Sequence, residues 1–124
     1  MSASPAIGWI IAASGAVTAA GGLAALVLPH PFLRLVFSVK YADASTLFFV
    51  RHWGVLIFAI GALIVAGTYS PAVRAPVLAA ASMEKLAAFL LIFFGPAKRT
   101  MAMTAIAIAD GVFAVLYVAY LAWL

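Results

Sequence analysis

Four long apolar segments, separated by short polar breaks, constrain what this chain can fold into more than any other feature. They cover residues 5–28, 45–68, 72–94 and 100–124. A helix that crosses the hydrocarbon core of a bilayer needs about 20 mainly apolar residues, and each segment meets that length. The segments are rich in Ala and Leu and lack strand-like alternation, so they predict membrane-spanning helices and not a barrel.

The composition argues against a soluble domain. Of the 124 residues, 69% are hydrophobic and 8% are charged, whereas a soluble domain is about half apolar and about a quarter charged. So few polar side chains cannot cover a surface that faces water. We therefore expect residues 1–124 to form a single all-α integral membrane domain, and the short connections favour an antiparallel bundle of four transmembrane helices.

The first connection has a pattern of its own. Residues 31–41 read PFLRLVFSVKY, with Arg34 and Lys40 set among clusters of apolar residues. Such a pattern predicts a short amphipathic helix that lies in the membrane interface. Just beyond it, either Asp43 or Ser45 is expected to cap the start of the second span.

The charges of the connections predict an orientation in the membrane. The second connection carries one cation, Arg74, whereas the first and third together carry four: Arg34, Lys40, Lys98 and Arg99. Cationic loops are retained on the cytoplasmic side. We therefore expect a protein of the bacterial cytoplasmic (inner) membrane with both termini outside. Because the positive charge forms no continuous basic run, the expected partner is the lipid bilayer and not a nucleic acid.

Glycines recur at seven-residue intervals in the first two spans. They are Gly8, Gly15 and Gly22 in the first span and Gly54 and Gly61 in the second. Small residues let helix backbones approach closely in lipid, and a seven-residue repeat keeps them on one face of a left-handed pair. The first and second spans are therefore expected to pack along these glycines.

Five ionisable side chains interrupt the spans: Arg51, His52, Glu84, Lys85 and Asp110. A charge at the centre of a bilayer costs about 2.5–3.5 kcal/mol on insertion scales, so such residues usually face the bundle, find partners and mark functional sites. At a rise of about 1.5 Å per residue, Glu84 and Asp110 both fall near the midplane.

The expected arrangement is a buried network of these charges. Arg51 is expected to contact Glu84, Asp110 or both, because its guanidinium can hold two carboxylates. Lys85 is expected either to pair with Asp110 or to extend toward the membrane surface. Tyr117 follows Asp110 by about two turns on the same face. The candidate ligand-binding residues are therefore Arg51, His52, Glu84, Lys85, Asp110 and Tyr117.

Alanines surround the acid in the third span, at positions 80, 81, 87 and 88. They leave either close helix contact or a small cavity beside Glu84. No metal site or cofactor is expected, because the chain has no cysteine and His30 and His52 lack the spacing of metal ligands. The pattern identifies no catalytic residue.

The stretch STLFFVRHWGVLIFAIGALIVAGTYSPAVRAPVL, followed by the acid at Glu84, resembles the DoxX-like superfamily of small four-helix bacterial membrane proteins. It is similar, more distantly, to the four-helix scaffold proteins of eukaryotic ergosterol biosynthesis. The resemblance covers residues 29–94, and Arg51, Gly54 and Glu84 are the matching positions. Some DoxX-like proteins are membrane subunits of quinone-linked oxidoreductases, so the resemblance implies a membrane protein partner.

Several functions remain open at this point. The first is a membrane protein that binds an apolar ligand (a lipid, a quinone or a sterol-like molecule), a membrane partner or a second copy of itself through the buried charges. The second is a membrane enzyme that acts on a hydrophobic substrate, with Glu84 or Asp110 as acid/base beside His52. The third is a proton-coupled transporter that works as an oligomer. Alternatively, the charges only fix the register of the four helices.

Overall fold

Five helices form the fold, which a computed structural model describes for residues 5–123. In order they are α1 (Pro5–Val27), α2 (Pro29–Phe37), α3 (Ala44–Tyr69), α4 (Pro71–Phe94) and α5 (Met101–Trp123). All except α2 are long and apolar enough to cross a membrane. This confirms the all-α bundle of four membrane-spanning helices. The last residue of the predicted fourth span, residue 124, lies outside the described residues.

The short helix expected in the first connection is present as α2, with different bounds. It begins at Pro29, because proline fits the first turn of a helix, where its missing N–H is not needed. It ends at Phe37, and the C-cap residue Ser38 adopts the left-handed conformation with φ 58°. The next N–H, that of Val39, then donates to the Leu33 carbonyl at 3.1 Å and closes the helix end.

Asp43 is the cap of α3. Its Oδ1 accepts a hydrogen bond from the backbone N–H of Thr46 at 2.8 Å, and this bond lowers the pKa of the Asp43 carboxyl. Of the two candidates in the sequence, Asp43 therefore begins the second membrane-spanning helix.

The glycine repeats join α1 to α3, as the sequence predicts. A Cβ atom added to Gly22 would lie 2.6 Å from the carbonyl oxygen of Gly54, and one added to Gly15 would lie 2.8 Å from that of Gly61. The two backbones therefore touch along this seam. The contact loosens at Gly8, where the nearest atom to an added Cβ is the Thr68 methyl carbon at 4.0 Å.

The other close pair is α4 with α5, and α3 packs beside α4. A Cβ on Gly111 of α5 would lie 2.9 Å from the ring of Phe89 in α4, so this seam also depends on a small residue. The four long helices follow each other around the bundle in the order α1, α3, α4, α5.

The two ends of the bundle are packed differently. At the end where α1 begins, each long helix contributes to one buried cluster, which we call the packed half; its buried members are Ile11, Ile64, Leu78, Ala81 and Tyr117. At the opposite end, α2 packs against α1, α3 and α5, and the Thr100 hydroxyl donates to the Val36 carbonyl to join α2 to the start of α5. We call this end the α2 half.

Candidate functional site

A lysine and an aspartate form an ion pair between α4 and α5 near the middle of the bundle. The Lys85 Nζ lies 3.0 Å from Asp110 Oδ1, and the two side chains are only 3% and 16% exposed. Lys85 also donates to the Thr18 hydroxyl of α1 at 2.9 Å. Its ammonium lies 5.7 Å from the centre of the Phe113 ring. Side chains of α1 and α5 therefore satisfy this buried cation of α4, as the cost of an unpaired charge in lipid requires.

Pairing with Asp110 is one of the two outcomes expected for Lys85. The hydrogen bond between Lys85 and Thr18 was not predicted from the sequence. The Thr18 hydroxyl donates to the Ser14 carbonyl at 2.8 Å, one turn back in its own helix, which leaves an oxygen lone pair for Lys85.

A cavity of about 240 Å³ lies beside the ion pair in the α2 half. Its walls come from all five helices and are mostly aliphatic and aromatic, and the charged residues that line it are Glu84, Lys85 and Asp110. Val17 of α1 and Ile106 of α5 line the same cavity and are 69% and 39% exposed. The cavity therefore opens at the bundle surface between α1 and α5.

The small residues around Glu84 produce this cavity. Ala88 and Gly21 line it, whereas Ala81 is buried in the packed half and Ala80 and Ala87 are exposed on the outside of α4. The two outcomes that the alanine pattern left open, close contact and a cavity, are therefore both present at different levels of one helix.

Within residues 5–123, Glu84 lines the cavity without a side-chain partner. It is half-buried, and no ion pair or side-chain hydrogen bond joins it to another residue in the described part of the chain. The arrangement leaves its carboxyl oxygens available to a molecule in the cavity.

Arg51 does not belong to this site, and the expected contact with Glu84 or Asp110 is wrong. Arg51 is exposed and lines a separate groove on the outer side of α3, together with His52. Trp53, two residues after Arg51, lines the cavity while remaining 42% exposed. Two residues along a helix change direction by about 200°, so Arg51 and Trp53 point to nearly opposite sides of α3.

Tyr117 also lies away from the cavity. It is fully buried in the packed half, where its hydroxyl is hydrogen-bonded to Ser14, whose own hydroxyl donates to the Ile11 carbonyl at 2.7 Å. Two turns separate Tyr117 from Asp110, and that distance takes it from the cavity into the close packing around Leu78. Tyr117 therefore does not line the cavity and contributes instead to the buried cluster of the packed half.

A second polar cluster, absent from the candidates of the sequence, closes the packed half. The guanidinium of Arg74 donates to the carbonyls of Gly67 and Thr68, each at 2.9 Å, and to the Tyr120 hydroxyl at 3.2 Å. These carbonyls end α3 and have no partner within the helix. Arg74 of α4 therefore has a structural role, because it connects the end of α3 to α4 and α5.

Among residues 5–123, no group of three or more His, Cys, Asp or Glu residues comes together in a way that would hold a metal ion. The polar chemistry of the cavity therefore rests on Glu84, Lys85, Asp110 and Thr18. No protein-family model matches this chain, and neither a curated protein nor a solved structure matches it.

Proposed function

We propose that this membrane-embedded chain binds an apolar ligand with a polar head group, such as a lipid, a quinone or a sterol-like molecule, in the cavity of the α2 half. The observation that carries the proposal is the cavity itself: apolar walls in mid-bundle, with Glu84, Lys85 and Asp110 gathered at one place. Ligand sites in proteins have this character, mostly apolar surface with a few convergent polar groups.

The size of the cavity favours a ring or a short chain as the bound part. An apolar cavity of about 150 Å³ holds one benzene molecule, so a space of about 240 Å³ suits a single substituted ring. The opening between Val17 and Ile106 would let an acyl or isoprenoid tail remain in the lipid. A ligand of this shape needs no larger chamber.

The polar groups favour a head that both accepts and donates hydrogen bonds. Lysine has three N–H donors; Lys85 uses two of them, on Asp110 and Thr18, and has one left. A carbonyl or hydroxyl oxygen of the ligand would accept that third bond. The Glu84 carboxyl would bind a hydroxyl or amine hydrogen on the same head.

The enzyme hypothesis receives mixed support. It requires space beside Glu84 or Asp110, and the cavity provides it. It also requires His52 beside the acid, but His52 lines the groove on the outer side of α3 together with Arg51. The transporter, the homo-oligomer and the partner subunit implied by the DoxX-like resemblance stay predictions. So does the orientation with both termini outside a bacterial inner membrane, which the four cations of the first and third connections support.

Native mass spectrometry of the protein, released from mild detergent, tests the proposal. Ala88→Phe places a ring in the cavity, whereas the matched control Ala87→Phe places the same ring on the exposed face of α4. Glu84→Gln keeps the shape of the side chain and changes its charge and hydrogen bonding.

We expect a small molecule, or an added short-tailed quinone, to remain bound to the wild type and to Ala87→Phe. Ala88→Phe should lose it, and Glu84→Gln should retain less of it. Equal retention by the two phenylalanine variants would place the ligand outside the cavity and refute the proposal. No bound molecule and no binding of the added quinone or a sterol would favour the charges as a purely structural clamp.

A further inference from the structure

The groove around Arg51 is a second place where an apolar surface meets charge. It has a volume of about 400 Å³ and lies between α1 and α3, on the side away from the cavity. Besides Arg51 and His52, its walls include Leu26, Leu47, Phe48 and Val55. The His52 ring is parallel to that of Phe48, with 6.1 Å between their centres.

Arg51 faces lipid at this groove. It is exposed, and so are Phe48 and Phe49, three and two residues earlier, at 64% and 66%. No ion pair involves Arg51 within residues 5–123. Acyl chains cannot satisfy a guanidinium, whose burial in the hydrocarbon is costly. We therefore expect a polar group of a lipid to bind the Arg51 guanidinium.

The depth of Arg51 suits a lipid head group. It lies seven residues after Ala44, where α3 begins, which is about 10 Å along the helix axis. Side chains on a helix tilt toward its N-terminus, and arginine extends its charged end toward the membrane surface. The guanidinium therefore reaches the level of phosphates at the α2 end.

The charge at this end favours an anionic lipid over a zwitterionic one. The loops and α2 add four more cations: Arg34, Lys40, Lys98 and Arg99. Asp43 is the acid at the same end, and its carboxylate is engaged by the Thr46 N–H. A choline group would meet this positive field unfavourably, whereas a head group with net negative charge would not.

We propose that the groove binds an anionic phospholipid. Arg51 holds the phosphate through paired N–H donors, as guanidinium groups do, His52 lies beside it, and an acyl chain follows Leu26, Leu47 and Val55. This site is independent of the cavity ligand, because Arg51 and His52 do not line the cavity.

The test is native mass spectrometry of the protein equilibrated with equal amounts of phosphatidylglycerol and phosphatidylcholine in detergent. Arg51→Gln removes the guanidinium at an exposed position, where folding should be unaffected. Lys40→Gln is the matched control, since it removes the same charge at the same end but outside the groove. Arg51→Lys retains the charge without the planar fork.

We expect the wild type and Lys40→Gln to retain phosphatidylglycerol in preference to phosphatidylcholine. Arg51→Gln should lower that preference by about tenfold, the equivalent of one charge-assisted hydrogen bond, and Arg51→Lys should lower it less. An unchanged preference in Arg51→Gln, or an equal loss in Lys40→Gln, would overturn the proposal. Displacement of the lipid by glycerol phosphate at equal concentration would do so too, because the site would then take a soluble phosphate.

Discussion

The packed half and the α2 half are built on the same four helices, yet one is filled and the other contains a cavity. In the packed half, Ile64, Leu78 and Tyr117 are fully buried and occupy the space between the helices. At the level of the cavity, the small residues Gly21 and Ala88 stand beside large ones such as Trp53 and Phe113, and space remains between them. The two halves therefore differ in how completely side chains fill the space between the same helices.

Two cations on α4 show the same contrast. Within residues 5–123, Arg74 makes three side-chain hydrogen bonds, two to carbonyls at the end of α3 and one to the Tyr120 hydroxyl of α5. Lys85 makes two in the same part of the chain, to Asp110 and Thr18, and borders open space. The first residue stabilises the fold, whereas the second keeps a donor free at the wall of a cavity. A buried cation therefore holds helices together in the packed half, whereas in the α2 half it also borders a cavity.

The largest effect is expected from breaking the ion pair. Lys85→Met should lower the free energy of unfolding by about 3 kcal/mol, because Asp110 would lose its partner in the middle of the bundle. Arg74→Met should cost less, since the carbonyls that it leaves lie at a helix end, where water can reach them. Reversible unfolding in mixed micelles measures both.

The double variant Lys85→Met/Asp110→Leu is the control for this comparison. It removes both charges, so it should be more stable than Lys85→Met alone. A double variant as unstable as the single one would mean that Lys85 stabilises the bundle through packing and not through Asp110.

A smaller effect should distinguish filled from unfilled space. Leu78→Ala should cost about 2 kcal/mol or more, because it opens a void in the packed half. Ile106→Ala should cost less than about 1 kcal/mol, since Ile106 already borders the cavity and is partly exposed. Thermal unfolding of the two variants in the same detergent gives the comparison. Equal losses would show that the α2 half is as closely packed as the other half.

The last comparison concerns two adjacent glycines on α1, of which Gly21 lines the cavity and Gly22 faces α3. Gly22→Ala should lower the free energy of unfolding by about 1–3 kcal/mol, because its Cβ would press on the α3 backbone near Gly54. Gly21→Ala should be neutral or slightly stabilising, since an added Cβ meets nothing within 4 Å and alanine favours the helix.

Thermal unfolding of this pair asks whether the wall of the cavity is rigid. If Gly22→Ala were tolerated as well as Gly21→Ala, then α1 and α3 would be free to separate, and the cavity would reflect loose packing of the whole α2 half.

Much of the scaffold follows from local features of the sequence. The predicted bounds of the second and third spans, 45–68 and 72–94, differ by one residue at most from those of α3 and α4. Length and apolar content suffice for this, because lipid leaves a helix no alternative for its backbone hydrogen bonds. The close packing of α1 and α3 along their glycines, including Gly15 against Gly61, was also predictable. A seven-residue repeat of small residues identifies the contact face of a helix from its own sequence.

The direction of Arg51 was not predictable. A soluble helix reveals its buried face by alternating apolar and polar residues, but α3 is apolar all around, so its pattern does not distinguish bundle from lipid. Thr18 gave little signal for a similar reason. A threonine in a membrane helix commonly bonds its own backbone, and only the position of Lys85 gives its hydroxyl a second contact.

The sequence by itself determined that the chain enters a membrane, that four helices cross it and that α1 pairs with α3, because these depend on length, hydropathy and the spacing of small residues. The tertiary structure alone decided which charges meet. It joined Lys85 to Asp110 and Thr18, left Glu84 at a cavity and placed Arg51 on the outside of the bundle. Those outcomes depend on the rotation of each helix about its axis, which packing against the other helices determines.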